Sequence, residues 1–320
     1  MLITFEKAVE LINGGKLLHI AGSEDLLKKL PKGNWIGGST IYFMTESGGK
    51  VSDDLLFVSE MPYENFEIKT YEIDNLKNIA SDAFDSGFSI VILPYESEIH
   101  MVYAQNAMNF KDMYIKHVVG WVSGTNLRLP TQIPIAINGL ECVAHPNKAV
   151  VLHIEVPAEK TVSVSIINIF HQDKDSPVIE FFESGFTAKK ALINGKETAF
   201  AEYCKQNDIN EKFPIVGDYS GNGVNVTFKE INGDTVVFSA PVFTGIKYKA
   251  AIKVSDYAKE FETHVANHKN TKVAFSCNCI SNFIFGELEG KTINPFTGPI
   301  TSGEIAYQLL NQTLVYVAVE

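Results

Sequence analysis

The 320-residue sequence lacks the features that mark membrane-spanning and secreted proteins. No apolar run approaches the ~20 residues that a membrane helix needs, and the longest runs, residues 149–154 and 162–170, have the length of strands. The first ten residues carry Glu6 and Glu10 instead of the basic start and apolar core of a signal peptide. We therefore predict a cytoplasmic protein with no membrane partner.

Positive charge is also scarce, since 27 Lys and Arg residues face 38 Asp and Glu residues and the formal net charge is -11. The basic residues form no run or stripe. Because an acidic chain repels phosphate backbones, nucleic acid is excluded as a partner.

Cysteine is rare, with Cys142, Cys204, Cys277 and Cys279 the only four. In a long chain of this class, so few cysteines indicate buried thiols instead of a disulfide framework. The sequence also contains no Gly-x-Ser-x-Gly elbow and no His-Glu-x-x-His motif. We predict neither a cofactor nor a bound metal.

Short strand-like runs alternate with a few amphipathic segments along the whole chain. Asn-Gly pairs at residues 138–139, 194–195 and 232–233 predict tight turns between strands. Apolar residues at helical spacing predict helices at residues 4–12, 74–86, 257–268 and 302–310. The pattern favours an α+β fold with mixed or antiparallel sheets packed by helices.

The length of the chain predicts two domains, because single hydrophobic cores rarely grow beyond about 250 residues. The polar segment HQDKDSP at residues 171–177 is typical of a linker. We therefore predict two related domains, residues 1–170 and 171–320.

A family resemblance appears in the last third of the chain. The strand-like VAFSC at residues 273–277 precedes Asn278, and TSGEI at residues 301–305 precedes a terminal strand. This order resembles the C-terminal region of FIST proteins, a family regarded as intracellular sensory domains, over residues 180–320. IGGST at residues 36–40 resembles the N-terminal region of the same family. The chain departs from the family pattern at residues 278–280, where Asn-Cys-Ile replaces the usual Arg or Gly.

The resemblance implies an intracellular sensor of small molecules, with amino acids as suggested ligands and a separate signalling protein as the output. We predict a ligand pocket between the two halves of the chain. Its predicted ligand-binding residues are Gly38, Ser39, Thr40, Cys277, Asn278, Ser302, Gly303 and Glu304.

Two interpretations of Ser302, Gly303 and Glu304 remain open. Ser302 and Glu304 cap a helix and complement its dipole, or the loop amides and the Glu304 carboxylate bind an amine. The GWVSG segment at residues 120–124 lines the same cavity or belongs to the core.

Two other functions compete with ligand sensing. The first is an enzyme, with Cys277 as a nucleophile activated by a histidine or with a thiol-bound metal held by Cys277, Cys279, His264 and His268. Because Cys-x-Cys matches no common zinc module, we favour a buried thiol pair beside a surface helix. The second is an interaction module without a ligand, which predicts a large exposed apolar patch.

Overall fold

The structure is a computed structural model that describes residues 1–129, 132–219 and 221–320. Within these residues, none of the helices combines the length and the apolar character needed to cross a membrane. The helices of the described residues are α1 (Phe5–Asn13), α2 (Glu24–Leu27), α3 (Glu98–Asn106), α4 (Phe200–Asn207), α5 (Tyr257–Ala266) and α6 (Ile280–Phe285), with 3-10 turns at Leu76–Asn78 and Ala107–Asn109.

Strands dominate the chain. In the first half they are β1 (Leu2–Ile3), β2 (Leu18–Gly22), β3 (Trp35–Ser39), β4 (Tyr42–Thr45), β5 (Gly48–Val51), β6 (Leu56–Glu60), β7 (Phe66–Tyr71), β8 (Gly87–Pro94), β9 (His117–Ser123), β10 (Ala136–Asn138), β11 (Val143–His145), β12 (Ala149–Glu155) and β13 (Val162–Asn168). In the second half they are β14 (Ile179–Glu180), β15 (Gly185–Ala188), β16 (Lys190–Ile193), β17 (Lys196–Ala199), β18 (Ile215–Tyr219), β19 (Asn222–Val226), β20 (Phe228–Asn232), β21 (Thr235–Val242), β22 (Tyr248–Ala250), β23 (Val273–Cys279), β24 (Gly298–Thr301), β25 (Glu304–Ala306), β26 (Gln308–Leu310) and β27 (Thr313–Val319).

The described strands form five sheets, and three of these share a motif. Sheet I has the order β1-β6-β2-β3-β10-β11, sheet II β26-β25-β9-β8-β12-β7, and sheet III β13-β27-β23-β24-β4-β5. Each contains one parallel pair, β2/β3, β8/β9 or β23/β24, joined through a helix and flanked by antiparallel strands. The second strand of each parallel pair, β3, β9 or β24, ends in a loop. The three sheets therefore have three similar strand-to-loop junctions.

Sheets I, II and III pack around one common apolar core, to which Ile36, Trp121 and Val315 belong. Helices cover the outer faces. Helices α1 and α2 lie on sheet I, α3 on sheet II, and α5 and α6 on sheet III. The helical ends follow from the sequence: the Asp256 side chain accepts a hydrogen bond from the Lys259 amide at 3.0 Å and caps α5, as short polar side chains do at helix starts.

Sheets IV (β17-β16-β14-β22-β18-β19) and V (β15-β21-β20) lie between residues 179 and 250 and have a separate core with α4. Phe181, Phe200 and Phe238 pack edge to face or tilted within it, at centroid distances of 5.1 to 6.1 Å. These rings supply much of the apolar area that holds this part together.

The predicted α+β class with mixed and antiparallel sheets is confirmed. The turn predicted at residues 194–195 joins β16 to β17, and there Asn194 and Gly195 have the positive φ angles, 47° and 80°, that such turns require.

Two predicted helices are wrong. Residues 74–86 form only the 3-10 turn Leu76–Asn78, and nearby side chains bond to the local backbone, as Asn75 does to the Glu72 amide. Residues 302–310 form the hairpin β25–β26, because β25 pairs with the edge of β9. Ser302 and Glu304 therefore do not begin a helix, and their predicted capping role is wrong.

Strands from both sides of residue 170 share sheets. In sheet II, β25 and β26 join strands of the first half, and in sheet III, β13 pairs with β27 over seven residues. The predicted linker at residues 171–177 is therefore not a boundary between sheets.

Candidate functional site

The predicted N-terminal loop lies at the end of β3 and contacts both other parallel-pair junctions. The Ser39 hydroxyl donates to the Gly124 carbonyl at 2.8 Å and accepts a hydrogen bond from the Ile135 amide. The Thr40 hydroxyl donates to the Ile300 carbonyl, also at 2.8 Å. Because these bonds use the polar atoms of both side chains, the loop is fixed to the protein.

Gly38 is a glycine for a packing reason. A Cβ atom at this position would lie 2.7 Å from Trp121 Cη2 and from Ile92 Cγ2, closer than real contacts allow. Trp121 is fully buried in the common core, and its Nε1 donates to His19 Nε2 at 2.9 Å. The GWVSG segment is therefore core, and Gly38 makes room for its indole.

Ser302 and Gly303 lie beside this loop. The Ser302 amide donates to the Val122 carbonyl at 3.0 Å, and the Val122 amide donates to the Gly303 carbonyl at 2.8 Å. The structure therefore places residues 39–40 and 302–303 on either side of Gly124. Ser302 is partly exposed, whereas its neighbours in this cluster are buried.

Glu304 is a fully buried carboxyl group at the start of β25. Its Oε2 accepts hydrogen bonds from the Thr313 hydroxyl at 2.8 Å and from the Thr313 amide at 3.2 Å, and its Oε1 lies 2.8 Å from Thr301 Oγ1. Burial raises the pKa of Glu304 to about 8, although the hydrogen bonds oppose this shift. Burial therefore favours the protonated form of the carboxyl group.

The Thr301 hydroxyl lies within hydrogen-bond reach of two acceptors. Thr301 Oγ1 lies 2.8 Å from Glu304 Oε1 and 3.2 Å from the Asn278 carbonyl oxygen, and a hydroxyl has only one proton to donate. When the Glu304 carboxyl carries a proton, it donates to Thr301, and Thr301 donates to Asn278. The Glu304 carboxyl, the Thr301 hydroxyl and the main-chain carbonyl of Asn278 are then paired, whereas Asn278 Nδ2 is buried and has no hydrogen-bond partner among the described residues.

The predicted cysteines are buried and unreactive in character. Cys277 is 1% exposed, its Sγ donates to the Gly120 carbonyl at 3.2 Å, and burial raises its pKa well above the ordinary value. Burial is also the main cause of the raised pKa of Cys279, and the nearby Glu304 adds to it. A thiol nucleophile needs the thiolate, which this environment disfavours.

The histidines proposed as metal ligands bond elsewhere. His264 Nδ1 lies 2.9 Å from the Glu260 carbonyl, and His268 Nδ1 lies 2.9 Å from the Tyr316 hydroxyl. Across residues 1–129, 132–219 and 221–320, no three His, Cys, Asp or Glu side chains are grouped to hold a metal ion. His264, His268, Cys277 and Cys279 are therefore not brought together.

Asn278 connects this buried region to the protein surface. Its Oδ1 accepts from Asn282 Nδ2 at 2.8 Å, and Asn282 Oδ1 accepts from the Tyr257 hydroxyl at 2.6 Å. All three side chains are buried. Thr301 Oγ1 lies 3.2 Å from the main-chain carbonyl oxygen of Asn278, so the backbone of Asn278 links two hydrogen-bonded groups of side chains. We call the linked residues the buried relay: Tyr257, Asn282, Asn278, Thr301 and Glu304.

The outer end of the buried relay opens onto a cleft between the start of α5 and the end of α6. The cleft has a volume of about 900 Å³, within the range of small-molecule sites. Tyr257 forms part of its wall. The other lining residues are Lys212, Ser255, Asp256, Ala258, Lys259, Glu262, Phe285, Gly286, Glu287, Leu288, Lys291, Thr292 and Ile293.

Charges of both signs surround the cleft. Three lysines, Lys212, Lys259 and Lys291, face three acidic residues in its lining. Lys291 pairs with Glu287 at 3.3 Å, whereas Lys212 and Lys259 form no ion pair with any residue in the described part of the chain. The cleft therefore offers two unpaired ammonium groups.

A second contact joins the cleft to Glu304. Gln312 Nε2 donates to the Lys212 carbonyl at 3.3 Å, and the next residue, Thr313, holds the Glu304 carboxyl. Two sets of contacts therefore join the cleft to Glu304. One runs from Lys212 through Gln312 and Thr313, and the other runs from Tyr257 through the buried relay.

Sequence reasoning identified Asn278 and Glu304 but missed Tyr257, Asn282 and the cleft lysines. The spacing of Asn278 and Asn282 gave no usable signal, because Asn278 lies on β23 and Asn282 on α6. The lysines gave no signal, since unpaired surface lysines are common.

Comparison with known proteins gives a family but no function. The chain belongs to DUF6976, a family of unknown function, which matches residues 3–320. No curated protein matches the chain, and no solved structure matches it. The family match carries no link to FIST proteins, so that resemblance stays a prediction.

Proposed function

We propose that this member of a family of unknown function binds a small, charged molecule in the cleft between α5 and α6 and senses it through the buried relay. The observation that carries the proposal is the juxtaposition of the two features. An open cleft of about 900 Å³ shares one residue, Tyr257, with a hydrogen-bonded chain that ends at Glu304.

The charges of the cleft favour a ligand of amino-acid type. Lys212 and Lys259 supply unpaired ammonium groups for a carboxylate, and Glu262 supplies a carboxylate for an ammonium group. A ligand that carries both charges satisfies both sets at once. This chemistry agrees with the ligand class that the FIST resemblance implies.

The buried relay supports sensing as well as binding. A sensor must bind its ligand with different affinity in two states. In the relay, the hydroxyl groups of Tyr257 and Thr301 can turn to another acceptor, whereas the amide groups of Asn278 and Asn282 keep their donor and acceptor roles. A ligand that draws the Tyr257 hydroxyl away from Asn282 Oδ1 leaves that oxygen unpaired, and the resulting shift of Asn282 and Asn278 changes the contact between the Asn278 main-chain carbonyl and Thr301, which bonds to Glu304. The output would pass to a separate signalling protein in the cytoplasm.

The test is a thermal-shift and calorimetry screen of the full chain against the twenty amino acids, dicarboxylates and nucleotides. We expect stabilisation by at least one amino acid. In the Lys259→Ala variant, we expect affinity for that compound to fall about tenfold, because one charge-assisted hydrogen bond is lost.

Lys269→Ala is the matched control, because Lys269 follows α5 at its other end and lies outside the cleft. It should bind like the wild type. Failure of every compound to stabilise the wild type would contradict the proposal, and so would equal losses in the two variants.

The geometry gives less support to the enzyme alternative. A cysteine nucleophile needs a base within hydrogen-bond reach, but the Cys277 thiol donates to the Gly120 carbonyl and is buried.

A further inference from the structure

The outer strand β13 of sheet III has an unusual edge. With seven residues, it is the longest of the strands that end the five described sheets. Its sequence, VSVSIIN, contains no charged residue and no proline. Exposed edge strands normally carry charge, proline or a bulge, or are very short, because a free edge pairs with other chains.

The other outer strands follow that rule or are short. β1, β11 and β26 have two or three residues, and β5, β7, β17 and β20 each contain lysine or glutamate. β15 has four residues and β19 five. β13 therefore combines length with the absence of the usual protection.

The pairing with β27 shows which backbone groups of β13 are free. Thr161 and Glu320 exchange both backbone hydrogen bonds at 3.0 Å, just before β13 and after β27. Doubly bonded pairs alternate along an antiparallel ladder, so in the regular register Ser163, Ser165 and Ile167 bond to β27. The N–H and C=O groups of Val162, Val164, Ile166 and Asn168 therefore point towards the open edge.

We propose that β13 pairs with β13 of a second copy of this chain in an antiparallel dimer, with the two-fold axis at Ser165. In this register Val164 bonds to Ile166 of the second copy and Val162 to Asn168 of the second copy, and each pair recurs by symmetry. Every outward backbone group of β13 is then used. The dimer also covers Ile166, which is 44% exposed, against a valine.

A second copy suits this edge better than a different partner for two reasons. The register is self-complementary, since the same four residues supply and receive all the bonds. The strand is also uncharged within a chain of net charge -11, so the contact brings no like charges of the strand together.

The first test is sedimentation equilibrium of the full chain, with Ile166→Lys and Val51→Lys as variants. Val51 is the matched control because it lies on β5, the opposite edge of sheet III, and is 42% exposed. We expect the wild type and Val51→Lys to have twice the chain mass of 35.4 kDa, and Ile166→Lys to associate at least tenfold more weakly while keeping the wild-type far-UV circular dichroism spectrum.

The second test fixes the register. In a Cys142→Ser background, Ser165→Cys should form a disulfide-linked dimer on mild oxidation, because residues 165 face each other in a non-hydrogen-bonded pair. Ser163→Cys, on the same face but away from the axis, should not. A mass of one chain at all concentrations would overturn the proposal, as would a dimer broken by Val51→Lys and not by Ile166→Lys, or equal cross-linking of the two cysteine variants.

Discussion

The buried Glu304 region and the α5–α6 cleft are both polar, but they differ in how their polar groups are satisfied. Around Glu304, the carboxyl oxygens bond to Thr301 and Thr313 inside the protein. In the cleft, Lys212 and Lys259 lie beside open volume and have no ion-pair partner among the described residues. The Glu304 carboxyl has its hydrogen bonds made on folding, although Asn278 Nδ2 and Gln312 Oε1 close to it have no partner among the described residues. The cleft has two ammonium groups that are free to bind a ligand.

This difference separates residues that hold the structure from residues that bind. A buried polar group without its partner costs free energy, so the Glu304 region should respond to mutation mainly through stability. A solvated lysine costs little to remove, so the cleft should respond mainly through binding. The following predictions, from the largest effect to the smallest, test this separation.

Glu304→Ala should lower the free energy of unfolding by about 3–5 kcal/mol, because it leaves a cavity and removes the acceptors of the Thr313 amide and hydroxyl. Glu304→Gln is the control, since an amide resembles the protonated carboxyl in shape and charge. It should cost about 1 kcal/mol or less. Urea unfolding at pH 6 measures both, and equal losses would show that the hydrogen bonds of Glu304 contribute little.

The protonation of Glu304 should make stability depend on pH. Its pKa of about 8 in the folded protein exceeds the ordinary 4.5, so the folded state holds the proton more tightly than the unfolded state. The stabilisation is complete below pH ~4.5 and is lost as the pH rises through ~8. The difference in unfolding free energy between wild type and Glu304→Gln should fall by roughly 4 kcal/mol over this range. A difference that does not change with pH would contradict the raised pKa.

Tyr257→Phe tests the point where the two regions meet. The change removes the donor to Asn282 Oδ1 and leaves that buried oxygen without a partner, which should cost about 1–2 kcal/mol. Tyr114→Phe is the control, because Tyr114 is 60% exposed. Thermal unfolding of the two variants gives the comparison. A loss of stability as small as that of Tyr114→Phe would show that the Tyr257 hydroxyl contributes no hydrogen bond to the buried relay.

Lys212→Ala should have the smallest effect on stability, within about 0.5 kcal/mol, because its ammonium group is solvated. The same variant should weaken binding of the amino acid found in the screen about tenfold. Lys253→Ala is the control, since Lys253 also lies near the Phe213 ring but pairs with Asp208 outside the cleft. A large loss of stability in Lys212→Ala without a change in binding would show that Lys212 stabilises the fold and does not bind the ligand.

Local signals in the sequence predicted the local parts of the fold. The apolar residues at helical spacing over residues 257–268 predicted α5, and the Asn194-Gly195 pair predicted its turn. The segment 302–310 was misjudged because Ser-Gly-Glu resembles a helix start. Its conformation is decided by pairing with β9, which lies about 180 residues earlier in the chain.

The candidate site was predictable only in part for the same reason. Gly38 was interpreted as part of a ligand loop, but its lack of a side chain serves the packing of Trp121, which no local pattern reveals. Glu304 was predicted to bind a ligand, but its burial depends on Thr313 and on sheet pairing, which no local pattern reveals. The cleft lysines line a common cleft only because the fold places α5 and α6 side by side, and no local pattern in the sequence shows this.

The most direct test of the central claim is hydrogen exchange of the full chain with and without a saturating amino acid from the screen. If occupancy of the cleft reaches Glu304, the Thr313 amide, which bonds to the Glu304 carboxyl, should change its exchange rate together with amides at the start of α5. The same ligand should leave Thr313 unchanged in the Tyr257→Phe/Lys212→Ala double variant. Changes confined to α5 and α6 in the wild type would show binding without a relay and contradict the account.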